Sequence, residues 1–261
     1  MALTRLELEA TGGPVPLVEN IRGPYGIHYA LSDSGTLVYM PGATGSVVTG
    51  GTLVWVDKDG KEELIPAPPN IYLYPDISPD GTRLAMTISP DFGISADIWI
   101  RDFLRKSLTQ LTFDKGSWLP IWTPDSKRIA FSTTRDGQQG AYWKAADGTG
   151  KEEKLYSEPN RRIMPYSFSG DGKSLLVSVV EGPWPATLQN NKWDIGILSM
   201  EGEHAVRPLL HDKSIETQAQ VSPDGRWLAY ASDESTGEAL KTEVYVRPFP
   251  EADRGKWQAS T

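Results

Sequence analysis

The stretch Ile77-Ser78-Pro79-Asp80-Gly81-Thr82-Arg83-Leu84-Ala85-Met86 holds a tight-turn tetrapeptide between two apolar runs. In such a turn proline presets φ, aspartate bonds nearby backbone groups, and glycine accepts a positive φ. The stretch therefore predicts a β-hairpin. Related tetrapeptides recur about every 45 to 53 residues, and they begin at Ser32, Ser78, Thr123, Ser169 and Ser222.

Two further short runs follow each predicted hairpin. The third run comes after a connection of variable length, at residues 53–57, 98–102, 142–145, 195–198 and 244–247. The fourth comes after another tight turn, at residues 63–65, 108–112, 154–156, 206–210 and 256–258. Four short strands in about 45 residues, repeated five times, are typical of β-propeller blades. The large aromatic side chains of the third runs are predicted to pack between adjacent blades; they are Trp55, Trp99, Trp143 and Tyr245.

The repeat predicts an all-β chain that forms a single propeller domain over residues 1–261. We expect a six-bladed type with five full four-stranded blades and an incomplete sixth, because residues 3–19 have the pattern of one further hairpin. The chain would then be a fragment of a six-bladed propeller, or the hairpin would fill the gap alone, or a second chain would complete the ring. The predicted boundaries are 1–22 for the third and fourth strands of the incomplete blade, then 23–67, 68–113, 114–158, 159–212 and 213–261 for blades 1 to 5.

Composition narrows the function classes. The chain has 26 Lys and Arg against 34 Asp and Glu, a net charge of −8, which argues against nonspecific nucleic-acid binding. No apolar run approaches the roughly 18 residues of a membrane-spanning helix, and the first residues lack the pattern of a signal peptide. With no cysteine, disulfides and thiolate sites are excluded.

The Ser-Pro-Asp-Gly hairpins, the Asp97-Ile98-Trp99 segment and the Leu-Thr strand ends resemble the WD40-like, TolB-type (PD40) β-propeller repeats over residues 23–260. The resemblance is greatest to the propellers of bacterial receptor-like serine/threonine kinases. It implies six blades, a sensing or interaction role and a periplasmic or other extracytoplasmic position. It is carried there by residues 38–42, 53–57, 142–148 and 243–249.

Propeller geometry predicts where such a module would bind. The tight turns lie on one face of the ring, and the long connections at residues 41–51, 89–96, 133–140, 181–192 and 232–241 lie on the other. Variable connections on a rigid scaffold are the usual place for recognition. The candidate binding residues are aromatic or polar side chains predicted at that rim or at the central tunnel: Trp184, Trp118, Tyr72, Tyr74, His28 and Gln218.

The sequence offers little support for catalysis. It contains no Gly-x-Ser-x-Gly segment and no His-x-x-x-His pair, so no catalytic residue and no metal ligand is predicted. Asp80, Asp125, Asp171 and Asp224 are interpreted as turn residues. No cofactor is expected, although calcium in the tunnel stays open, as in lactonase-type propellers. The remaining carboxylates with no evident pairing are Asp76, Asp91, Asp97, Glu181, Asp194 and Glu216.

The sequence therefore favours a noncatalytic binding or sensing module for a protein or small-molecule partner, with a homo-oligomer as one way to complete the open blade. Two alternatives remain. One is a cation-dependent propeller hydrolase, of lactonase or glycoside type, with its site at the tunnel mouth. The other is a regulatory propeller that belongs to a peptidase or kinase.

Overall fold

A computed structural model describes residues 29–31, 37–39, 51–57, 60–91, 95–181, 192–237 and 242–259 of the chain. These residues form five antiparallel sheets of four strands each, in which consecutive strands are neighbours. The predicted four-stranded blades are thus confirmed, and the described residues contain five of them. The hairpin predicted within residues 1–22 lies outside the described residues.

The strands follow the repeat closely, and each blade runs from an inner first strand to an outer fourth strand. Blade 1 contains β1 (Tyr29–Leu31), β2 (Leu37–Tyr39), β3 (Gly51–Val56) and β4 (Glu62–Asn70). Blade 2 contains β5 (Tyr72–Ile77), β6 (Arg83–Ile88), β7 (Asp97–Asp102) and β8 (Ser107–Gln110). Blade 3 contains β9 (Ser117–Trp122), β10 (Arg128–Thr133), β11 (Gly140–Ala145) and β12 (Glu153–Tyr156). Blade 4 contains β13 (Arg161–Phe168), β14 (Ser174–Glu181), β15 (Lys192–Ser199) and β16 (Val206–Leu210). Blade 5 contains β17 (Glu216–Val221), β18 (Trp227–Ser232), β19 (Glu243–Pro248) and β20 (Trp257–Gln258). Two short 3₁₀ turns span Arg135–Gly137 and Ala252–Arg254.

The core lies between blades rather than inside one. Strand alternation sends successive side chains to opposite faces, and apolar clusters join residues of neighbouring blades. At the junction of blades 1 and 2 the rings of Trp55 and Phe103 meet edge to face, with centroids 4.5 Å apart. Trp99 and Trp143 pack against such clusters, and Tyr245 is buried within one. The predicted inter-blade role of these aromatic residues is confirmed.

Blade 5 differs from its neighbours because its two faces are unequally covered. Leu228, Tyr230 and Tyr245 face blade 4 and are at most 3% exposed. On the other face Val244 is 41% and Trp257 is 43% exposed. Blade 5 is therefore the end of the series among the described residues.

The inner strands are joined across blades by side-chain hydrogen bonds. The Trp122 backbone N–H donates to Asp76 Oδ2 at 2.7 Å, and Trp122 Nε1 donates to the Asp76 carbonyl at 3.0 Å. Between blades 4 and 5 the Val221 N–H donates to Ser167 Oγ at 3.2 Å. Both acceptors occupy the second position before the turn, so the same position links two different blade pairs.

Candidate functional site

The face that carries the tight turns, here the short-turn face, uses its polar residues for structure. Asp125 Oδ1 accepts hydrogen bonds from Thr123 Oγ1 at 2.7 Å and from the Lys127 N–H at 3.0 Å. Asp80, Asp171 and Asp224 accept the same pair of bonds in their own blades. These bonds lower the pKa of Asp125, of Asp171 and of Asp224, the last to about 2. The interpretation of these aspartates as turn residues is confirmed.

The inner strands of blades 2, 3 and 5 each carry a bulge, and in blades 2 and 5 it lies at the predicted binding residues Tyr74 and Gln218. Tyr74, Leu119 and Gln218 have φ values of 50°, 57° and 57°, and the register shifts beside each of them. Left-handed backbone in non-glycine residues costs about 1 kcal/mol each. A bulge re-aims a side chain and is common beside functional sites. Because the same bulge recurs in three blades, it is a repeated feature of the innermost strand.

The structure separates the sequence-predicted residues into three groups. Tyr74 and Trp118 are partly exposed and pack against the cluster between blades 1 and 2, whereas Gln218 is exposed. Tyr72 is 1% exposed and its hydroxyl donates to the Pro68 carbonyl, so it belongs to the core. The remaining two, His28 and Trp184, lie outside the described residues.

The surroundings of Tyr74 disfavour ionisation of its hydroxyl. Burial, together with the nearby Tyr166, raises the pKa of the Tyr74 hydroxyl to about 12. Tyr166 belongs to blade 4 and its hydroxyl lies 2.7 Å from Thr217 Oγ1 of blade 5. Tyr74 therefore stays neutral and can act only as a hydrogen-bonding or stacking group.

On the opposite face, here the long-connection face, the segment that joins β8 to β9 presents an aromatic residue that the sequence reasoning missed. Phe113 is 70% exposed, although its neighbours are tightly held. Asp97 Oδ1 accepts from Thr112 Oγ1 at 3.0 Å and from the Lys115 N–H at 3.2 Å. The Phe113 ring is therefore exposed, while Thr112 and Lys115 on either side of it are held by hydrogen bonds to Asp97.

Asp114 fixes the same segment to blade 3. Its carboxylate accepts from Ser117 Oγ at 2.7 Å and from Thr133 Oγ1 at 2.8 Å, and it pairs with Arg135 at 3.2 Å. Although burial opposes it, these bonds and the Arg135 charge hold the pKa of Asp114 below its ordinary value.

Arg135 extends this network away from the connection. Its other guanidinium nitrogen lies 3.1 Å from Glu152, which also pairs with Lys144 at 3.1 Å. Lys144 Nζ in turn donates to the Leu111 carbonyl at 3.0 Å. A chain of charged groups therefore clamps both ends of the segment that carries Phe113.

A second cluster of carboxylates lies where blades 4 and 5 meet. Glu216 is 2% exposed and its Oε2 has no hydrogen-bond partner. Burial raises the pKa of Glu216 to about 8, and the charges of Asp212 and Asp194 add to the effect. The spacing of these residues in the sequence gave no sign of this coupling, because the three carboxylates belong to different elements.

The described residues hold no group of three or more His, Cys, Asp or Glu that is placed to bind a metal ion. In the same part of the chain, no helix has the length and apolar character needed to cross a bilayer.

The chain is similar to a curated peptidase in sequence and to solved structures in fold. No family model matches the chain. An uncharacterized peptidase, YuxL, of Bacillus subtilis (strain 168) is 26% identical over 206 residues, which are 66% of this chain and 31% of that protein. The chain thus spans about a third of the length of this curated relative.

Solved structures are similar over most of the chain. The crystal structure of TolB from Acinetobacter baumannii superposes with a TM-score of 0.69 at 20% identity, over 90% of this chain and 54% of that one. A puromycin-hydrolyzing peptidase of Mycobacterium tuberculosis gives a TM-score of 0.63 at 16% identity, over 92% and 39%. The fold is therefore a TolB-like β-propeller. The closer resemblance to kinase-attached propellers stays a prediction.

Proposed function

We propose that this chain is a noncatalytic binding module that recognises a protein partner through its long-connection face. The exposed and clamped Phe113 is the observation that carries the proposal. An exposed aromatic ring is a typical anchor of protein interfaces. Holding it on a fixed segment reduces the ordering cost of association. The TolB-like fold and the predicted residues Trp118, Tyr74 and Gln218, which lie on inner strands that begin at this face, support the same face.

The test is a comparison of two exposed apolar residues. Phe113 and Leu64 are 70% and 58% exposed, but Leu64 lies on the outermost strand of blade 1. Proteins captured from a bacterial extract by the wild-type chain are identified, and the affinity of a captured partner is then measured. Phe113→Ala weakens that affinity at least tenfold, whereas Leu64→Ala leaves it within twofold. Equal losses in both variants would refute the assignment of the face.

The likeness to YuxL supports a second candidate, a regulatory propeller beside a peptidase domain. On both proposals this segment has no turnover of its own. A panel of peptide p-nitroanilides should therefore show no hydrolysis above buffer. Hydrolysis that survives repeated purification would contradict both proposals and favour the propeller hydrolase. The full reading frame around this segment separates the two, because a regulatory propeller is encoded with a hydrolase domain.

We also propose that the ring is of the six-bladed type, with residues 3–19 supplying two strands of the sixth blade. The half-exposed Val244 and Trp257 on the outer face of blade 5 support this arrangement, since they mark a sheet face that another layer would cover. Deleting residues 1–22 should increase the fluorescence of an apolar dye bound to the protein. Light scattering distinguishes the alternative, because completion by a second chain gives a dimer of the intact protein.

A further inference from the structure

One position recurs at the end of the third strand in four blades. The residue that follows this strand donates its backbone N–H to a carbonyl in the turn between the first and second strands, at 2.8–3.1 Å. Equal hydrogen bonding shows that the residues are structurally equivalent. They are Phe103 in blade 2, Ala146 in blade 3, Met200 in blade 4 and Phe249 in blade 5.

At three junctions this side chain packs against the preceding blade. Phe103 meets Trp55 of blade 1, Met200 packs with the cluster that includes Trp143 of blade 3, and Phe249 packs with the cluster of blades 4 and 5. Each of the three therefore acts as a plug between adjacent blades.

The junction of blades 2 and 3 lacks such a plug, because the residue there is alanine. The facing third-strand residue is isoleucine rather than tryptophan: Ile100 pairs with Ala85, whereas the corresponding partner of Ala130 is Trp143. A cavity of about 490 Å³ opens at this place, and Ile100 and Ala146 both line it. The cavity thus lies where this junction has alanine and isoleucine in place of the methionine and tryptophan of the next junction.

The lining is apolar at the bottom and polar at the rim. Ile100, Leu111 and Ala146 are 6%, 2% and 8% exposed and form the floor. Thr109 of β8 lies in the wall. Two arginines and two carboxylates line the rim: Arg83, Arg105, Asp102 and Asp147. Arg83 donates to the Ser126 carbonyl, whereas the Arg105 side chain is 82% exposed and its contact to Asp102 is 4.0 Å long. An apolar floor with charged groups at the rim, of which Arg105 is the weakly held cation, describes a ligand site.

We propose that this cavity binds an aromatic side chain of a partner polypeptide that carries a carboxylate beside the ring. The ring takes the place that Phe103 and Phe249 occupy at the other junctions, and the carboxylate pairs with Arg105. Leu104, 89% exposed at the same rim, covers the outer edge of the bound ring. Phe113 is not part of this lining, so the site is independent of the function proposed above.

The test uses N-acetyl-L-phenylalanine as the probe and ¹H–¹⁵N correlation spectra of the whole chain as the readout. Saturable shifts are expected for Thr109, Leu111 and Ala146, with a dissociation constant in the millimolar range. Ala146→Phe fills the cavity and weakens binding at least tenfold. N-acetyl-L-phenylalaninamide binds about threefold more weakly than the acid, and Arg105→Gln removes that difference.

Two further variants guard against a folding artefact. Ala146→Met copies the residue at the next junction and is expected to weaken probe binding with a spectrum as well dispersed as the wild type. Phe103→Ala opens the corresponding place between blades 1 and 2 and is expected to add a second set of shifts around Trp55. Absence of saturable shifts in the wild type, or their persistence in both Ala146 variants, overturns the proposal. Phe113→Ala leaves probe binding unchanged, so the two proposals fail separately.

Discussion

The short-turn face gives its carboxylates one common environment, whereas the long-connection face does not. The turn aspartates repeat one set of hydrogen bonds in four blades, and their pKa values are lowered. Of the carboxylates toward the other face, Asp97 and Glu216 have raised pKa values, Glu216 to about 8, whereas that of Asp114 is lowered. The repeat thus satisfies its own polar groups. The carboxylates whose pKa values diverge lie on the face whose connections differ between blades.

The largest expected effect is on the pH dependence of stability. Burial raises the pKa of Asp76 to about 7 and of Glu216 to about 8. Both groups therefore bind protons more tightly in the folded than in the unfolded chain. Their contribution is fully present below the unfolded pKa and is lost as pH rises through the folded pKa. Each group lowers the free energy of unfolding by at most about 1.4 kcal/mol per pH unit in that window.

The turn aspartates act in the opposite sense, since their contribution is lost as pH falls below about 4. Urea denaturation from pH 3 to pH 9 should therefore show maximum stability at about pH 4 to 5. Glu216→Gln should flatten the loss between pH 5 and 8, and Asp171→Asn should leave that part of the curve unchanged. A stability that rises steadily to pH 8 in the wild type would contradict the assignment.

The next effect compares one aspartate from each face. Asp114→Ala removes bonds from Ser117 and Thr133 and leaves Arg135 with one carboxylate fewer, so we expect a loss of about 3 kcal/mol. Asp125→Ala removes two bonds at the surface and should cost about 1 kcal/mol. Urea midpoints at pH 7 measure both. Equal costs would mean that the connection carrying Phe113 is no better anchored than an ordinary turn.

The smallest effect concerns backbone strain. Lys115 is exposed on the long-connection face with φ of 56°, and Ser126 has φ of 58° in the turn where other blades have glycine. Lys115→Gly should stabilise the protein by about 0.5 kcal/mol, because glycine adopts this φ without steric cost. Ser126→Gly should gain nothing, since it also loses the 3.2 Å bond from the Asp80 N–H to Ser126 Oγ. Thermal unfolding of the two variants side by side decides the point.

The sequence predicted the strands and turns well because a local tetrapeptide encodes each hairpin. It did not predict the bulges at Leu119 and Gln218, because a positive φ opposes the local backbone preference of leucine and glutamine. It also missed the cavity at Ala146. Ala146 and Phe103 are recognised as equivalent when the blades are aligned by the backbone hydrogen bond that follows the third strand. Aligning the blades by the aromatic residues of the third runs does not show this equivalence.

The candidate site was predicted only in outline. The long connections could be assigned to one face from the repeat, but the anchoring of Phe113 depends on Asp97 and Asp114, which are distant from each other in sequence. The raised pKa of Glu216 likewise depends on residues distant in sequence, because the nearby carboxylates Asp194 and Asp212 belong to other elements.

The hydrogen bonds from Trp122 to Asp76 have a mechanical consequence. They tie blades 2 and 3 together near the axis, whereas the outer part of the same junction is held open by the small Ala146. A ligand bound in this outer gap would push the two blades apart there, while the hydrogen bonds between Asp76 and Trp122 keep their inner strands together. Binding of a ligand at the rim of the cavity would then rotate blades 2 and 3 slightly relative to each other near the axis, close to Tyr74 and Leu119.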